Sequence, residues 1–172
     1  HLEGGEQRLI KVMEEVGLQM GKSKAAIRQA AKAGLKAQEE FQDALQRRGE
    51  AVLANLQPGQ KALVVVARAY NGCDPGANLE IPRKLREMGI LPIPMDFLPL
   101  DSVPLEGDWS NMYWRYGQKI LTAADIIAKD KRLHAIYITN FGCGPDSFLT
   151  RFFRKRMGDK PYLQIEIDEH SA

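Results

Sequence analysis

The chain has 172 residues, and its 24 lysines and arginines against 22 aspartates and glutamates leave a formal charge of +2. That balance excludes a polyanion binder working through bulk charge, and 44% apolar with 27% charged residues excludes a disordered or fibrous chain. No apolar run approaches the roughly 18 to 20 residues of a spanning helix, and the first residues lack the charged-then-apolar order of a signal peptide. Neither nucleic acid nor a membrane is therefore an expected partner, and the expected location is cytoplasmic. Two cysteines are too few for a disulfide framework. A start on histidine and a stop on Asp-Glu-His-Ser-Ala, directly after an apparent strand, read as a piece of a longer protein.

Apolar side chains at positions 9, 10, 12, 13, 16 and 20 fall at the spacing of one helical face and predict a helix over 6–20. Gly21 breaks the pattern and Ser23 offers a capping oxygen. Ile27, Ala30, Ala31, Ala37, Phe41, Leu45 and Val52 then recur at helical spacing and predict a second, longer helix. Its alanines permit close packing, so residues 1–56 are expected to form an antiparallel helical arm with no chemistry of its own. At Gln57-Pro58-Gly59-Gln60 a turn opens a second region, 57–172, of different character.

Residues 61–67, Lys-Ala-Leu-Val-Val-Val-Ala, form an apolar, β-branched run too short for a buried helix and predict a strand covered on both faces. A helix over 81–88, a strand over 90–97, a helix over 111–129, a strand over 134–141, a helix over 147–157 and a strand over 162–167 come next. Strands alternating with helices predict an α/β fold: a parallel sheet of four strands or more in a three-layer, flavodoxin- or Rossmann-like arrangement behind the helical arm. Pro92 and Pro94 each remove a ladder donor, which puts the second strand at an edge and favours the strand order 2-1-3-4.

In such a sheet ligands gather beyond the carboxyl ends of the strands, where successive crossovers pass to opposite faces. The loops flanking that crevice are 68–78 and 139–147, and each carries one cysteine. Cys143 lies between Gly142 and Gly144, with Pro145 in the first turn of a helix, so backbone N–H groups there favour a thiolate or a thiolate-bound anion. A small apolar filler in a tight turn is the competing reading, and the flanking glycines weigh against it. Cys73 sits in Asn-Gly-Cys-Asp-Pro-Gly, where each neighbour has a local reason to be present in a turn. His134 starts a strand on the opposite side of the sheet, whereas His170 lies after the last strand on the ligand side. Neither a G-x-G-x-x-G fingerprint nor a G-x-x-x-x-G-K-[ST] loop is present. The tract 151–156 reads as a basic outer helix face with Phe152 or Phe153 turned inward, and Trp109, Tyr113, Trp114 and Tyr116 read as packing aromatics.

Five strings, at 64–79 (Val-Val-Val-Ala-Arg-Ala-Tyr-Asn-x-x-Asp-Pro-Gly-x-Asn-Leu), 93–99 (Ile-Pro-Met-Asp-Phe-Leu-Pro), 113–118 (Tyr-Trp-Arg-Tyr-Gly-Gln), 140–148 (Asn-Phe-Gly-Cys-Gly-Pro-Asp-Ser-Phe) and 166–171 (Glu-Ile-Asp-Glu-His-Ser), carry a resemblance. Together they resemble the 2-hydroxyacyl-CoA dehydratase and benzoyl-CoA reductase superfamily, and more narrowly the dehydratase-related region of CoA-substrate-specific enzyme activases, over about 25–172. The resemblance implies an anaerobic, cytoplasmic iron–sulfur protein in which two α/β domains face each other and jointly hold a 4Fe–4S cluster. It further implies an acyl-CoA substrate and an ATP-dependent activator that injects electrons. It makes Cys143 a cluster ligand, with Asn71, Asp74, Asn140, Asp146 and His170 lining the crevice and the remaining ligands coming from a preceding domain of the same protein. On that expectation the isolated piece is inactive, and the cluster is a property of the full-length protein. The rival expectation is a non-catalytic binding or assembly module of the activase.

Overall fold

The computed structural model describes residues 5–102, 112–140 and 144–168. They fall into two compact units, His1–Leu45 and Gln46–Ala172. In the first, helix α1 (Gly5–Gln19) is followed by the opening two-thirds of α2 (Lys24–Ala54). Ser23 Oγ accepts from the Ala26 N–H at 3.3 Å, the capping bond expected of that serine. Ile27 is buried against Gly17, where even a methyl group on the glycine would stand 2.6 Å from the isoleucine side chain.

The second unit is a four-stranded, wholly parallel sheet in the order β2-β1-β3-β4, built from β1 (Ala62–Ala67), β2 (Leu91–Pro94), β3 (Leu133–Asn140) and β4 (Tyr162–Ile167). The predicted strand order is the observed one. Helices α3 (Ala69–Cys73), α4 (Ile81–Glu87), α5 (Arg115–Lys129) and α6 (Gly144–Met157) lie between the strands. Alternation along β1 divides the core. Ala62, Val64 and Val66 face α5, α6 and the end of α2, while Val65 and Ala67 face the side carrying Ile81 and Leu85 of α4. Layers on both sides of a parallel sheet make the fold three-layer α/β. Phe153 is the inward aromatic of α6, its ring 4.9 Å from Tyr137 and 5.1 Å from Tyr162.

Three local expectations are corrected. The second strand stops at Pro94, because the chain turns into a 3₁₀ turn over Met95–Phe97. The helix expected from 111 begins at Arg115, with Met112 to Trp114 outside any helix and Trp114 extended as its N-cap. Tyr113 accordingly points to solvent at 96% exposure, while Trp114 and Tyr116 pack against the core as aromatic residues at those positions were expected to do. Trp109 lies outside the described residues. Among the described residues, no helix is long and apolar enough to cross a membrane.

Candidate functional site

The crossover through α4 passes over one face, and those through α5 and α6 over the other. From β1 the chain therefore moves to one side of the sheet and from β3 to the other, which places the switch point between these two central strands. Their carboxyl ends are level, Ala67 pairing with Ile138. Helix α3, leaving β1, packs on both strands at this edge.

β1 ends into Arg68 and α3. The guanidinium of Arg68 reaches across to α6, where its Nη2 stands 3.0 Å from Oδ2 of Asp146. The Asp146 side chain is 1% exposed and that of Arg68 20%. The same guanidinium lies 4.9 Å from the centre of the Tyr70 ring, a cation–π contact. Asp146 belongs to the first turn of α6, where a carboxylate also complements the helix dipole. The pair thus ties the end of a central strand to the helix leaving its neighbour. Sequence reasoning misses Arg68, since one arginine after a strand carries no signal until the strand order is known.

Asn71, on α3, is fully buried, and among the described residues neither its carboxamide nitrogen nor its oxygen has a hydrogen-bond partner. An enclosed amide of this kind costs about 1–3 kcal/mol when left unsatisfied. Asn140, the last residue of β3, and Asn78 each likewise keep a side-chain oxygen buried and, among the described residues, unpartnered, although the Asn78 amide donates to the Gly72 carbonyl at 3.4 Å. Asp74 is exposed, and its Oδ1 accepts from the Ala77 N–H at 2.9 Å, a turn-forming role. Leu79 and Glu80 complete that connection with left-handed φ values of 51° and 55°, unusual without glycine. Cys73 is free and exposed at the end of α3. Nearby, the Tyr116 hydroxyl is pushed well above the usual tyrosine range by burial, then by the Asp96 carboxylate and Cys73. Asp96 in turn stands 3.7 Å from Lys119 Nζ. Cys143 and His170 lie outside the described residues.

A 4Fe–4S cluster takes four protein ligands, as a rule cysteine thiolates. The chain has two cysteines, and among the described residues no three His, Cys, Asp or Glu side chains gather as a metal site. The described residues therefore supply at most one wall of a cluster site, whose ligands would have to come from outside them.

The geometry defines a class: a parallel α/β domain with buried polar side chains at its switch point. Residues 1–98 match the model of a family described as CoA enzyme activase uncharacterised domain (DUF2229). The chain belongs to that family. No curated protein and no solved structure matches it.

Proposed function

We propose that, within the activase family, this chain is the dehydratase-like redox module: an α/β domain that presents Cys143 to an iron–sulfur cluster in a crevice completed by a preceding domain of the same protein. Its affiliation would then be with the 2-hydroxyacyl-CoA dehydratases, its electron donor an ATP-dependent activator domain or protein, and its substrate an acyl-CoA. The observation that carries this reading is the set of buried polar groups beyond the carboxyl ends of β1 and β3. Asn71 and Asn140 hold buried carboxamide atoms without partners among the described residues, at the end of the sheet where parallel α/β folds take their ligands, and the Arg68–Asp146 pair ties down the first turn of α6, three residues beyond Cys143 in sequence. A domain built only for stability has no use for an unsatisfied Asn71. When bound, the cluster supplies one-electron transfer, which suits dehydration of a 2-hydroxyacyl thioester because the β-hydrogen is too weakly acidic for ordinary base catalysis. The chain's own residues position and exclude: Arg68 and Asp146 hold the turn, Asn71 and Asn140 offer hydrogen bonds, and the apolar faces of β1 and β3 keep water from below.

The test is anaerobic production of the full-length protein, with iron and sulfide analysis of wild type, Cys143→Ser and Cys73→Ser. Loss of cluster in the first variant and retention in the second is expected. Undiminished iron and sulfide in Cys143→Ser removes this reading and leaves the non-catalytic assembly module of the activase.

A further inference from the structure

The unit His1–Leu45 has an uncovered face. Ala26, Ala30, Ala33, Ala37 and Ala44 of α2 fall within a narrow arc at about 100° per residue, and all five are exposed. Ala26 and Ala33, and again Ala30, Ala37 and Ala44, recur at intervals of seven, the repeat of a helix packed along another helix. Phe41 borders the same arc and is 59% exposed. Alongside runs a groove of about 460 Å³ between α1 and α2, lined chiefly by Val12, Met13, Val16, Met20, Ile27 and Ala30. Charge along α2 is zoned: Lys24, Arg28, Lys32 and Lys36 come with no acid among them, and Glu39, Glu40 and Asp43 lie beyond them.

We propose that this face docks a second copy of the chain, with two α2 helices antiparallel about a two-fold axis near residue 35 and each Phe41 seated in the partner's groove. The zoning chooses both occupant and direction. Antiparallel helices bring Arg28 and Lys32 of each α2 against the acidic stretch Glu39–Asp43 of the other, with Arg47 and Arg48 beyond it at the ends of the contact, whereas parallel ones would oppose Lys32 and Lys36 to themselves and Asp43 to itself. With the axis near residue 35, Ala26 faces the partner's Ala44, and Phe41 comes opposite residue 29, beside Ile27 and Ala30 in the groove wall. The contact is isologous, so every pairing occurs twice and the assembly closes at two copies. Alanine along the seam lets the helices approach closely enough for the groove to be filled.

Sedimentation equilibrium of the chain from about 1 to 100 µM tests this by mass action. A dimer is expected in wild type, with Phe41→Glu raising its dissociation constant at least about tenfold, as loss of a central aromatic anchor does. Phe41 is exposed, so circular dichroism should show that variant folded. Lys32→Glu alone should weaken the dimer, and Lys32→Glu combined with Glu39→Lys should restore it, because about an axis near residue 35 Lys32 lies beside the partner copy's residue 39 and the double exchange reverses both members of each cross-pair. A monomer throughout the range, an unchanged constant in Phe41→Glu, or no rescue in the double exchange overturns the proposal. So does a monomer that binds vesicles of anionic lipid through Phe41, which would assign the face to a membrane surface.

Discussion

At the amino end of the sheet, Lys160 Nζ donates to the carbonyls of Ile127 and Asp130, Asp130 accepts from Arg132 through both oxygens, and Arg132 donates on to the Leu53 carbonyl at 3.3 Å. The Arg132 carbonyl takes the first ladder bond, from the Ala62 N–H at 2.9 Å. At the carboxyl end, a few residues past β1, Asn71 is buried with both amide atoms unpartnered among the described residues. Hydrogen bonds from Lys160 and Arg132 close the α5–β3 connection at one end; at the other, beside the Arg68–Asp146 ion pair, both amide atoms of Asn71 and the side-chain oxygen of Asn140 have no partner among the described residues. Parallel sheets take their ligands beyond the carboxyl edge only, so the unpartnered amides that a ligand could meet are those of the second end.

The largest test of that contrast is the Arg68–Asp146 pair. Arg68→Ala should cost about 3 kcal/mol in urea unfolding near neutral pH, because it leaves an enclosed carboxylate without its cation. Arg68→Met with Asp146→Leu should recover most of the loss, since removing both charges also removes their desolvation cost. A double variant as unstable as the single one would mean that the pair itself stabilises the fold. At the amino end, Lys160→Met should cost about 2 kcal/mol, the worth of charged hydrogen bonds to two carbonyls. At the carboxyl end, Asn71→Leu should do the reverse, leaving stability unchanged or raising it by about 1 kcal/mol, since no hydrogen bond is lost and apolar volume is gained. A destabilised Asn71→Leu would show that the carboxamide is part of the folding core.

Which of these features are legible in the sequence depends on how local their cause is. The strand order is legible because Pro92 and Pro94 disqualify β2 from a central place, and the core face of α6 because Phe153 stands one turn from Leu149 and Met157. Helix α3 is not legible: five residues including Asn71 and Gly72 give no periodicity, and it is held by packing on β1 and β3. The left-handed pair Leu79 and Glu80 is equally hidden, because no propensity favours that backbone at those residues. Spacing does put Asn71, Asn140 and Asp146 at the ligand edge, but burial and the partnership with Arg68 are long-range facts that spacing does not encode.

The smallest effect separates the two ends by pH. His134 opens β3 at the amino end, and burial, followed by the cations of Lys61 and Lys160, holds its imidazole below the usual histidine range. The unfolded chain takes up that proton near pH 6.5, about the ordinary value. The folded state therefore resists protonation, and the stability His134 contributes is fully present above that pH. It is lost as the pH falls from there through the folded value. Asp130 behaves in the same direction lower down: hydrogen bonding from Arg132 lowers its carboxyl, so its contribution is present above about pH 3.9 and fades as the pH falls further. Between about pH 7.5 and 5.5 only the first of these groups titrates, so wild type should lose stability over that interval and His134→Gln should lose less. Equal losses in the two proteins would move the titrating group away from the amino end and remove the distinction between a pH-sensitive clamp there and a charge-balanced crevice opposite.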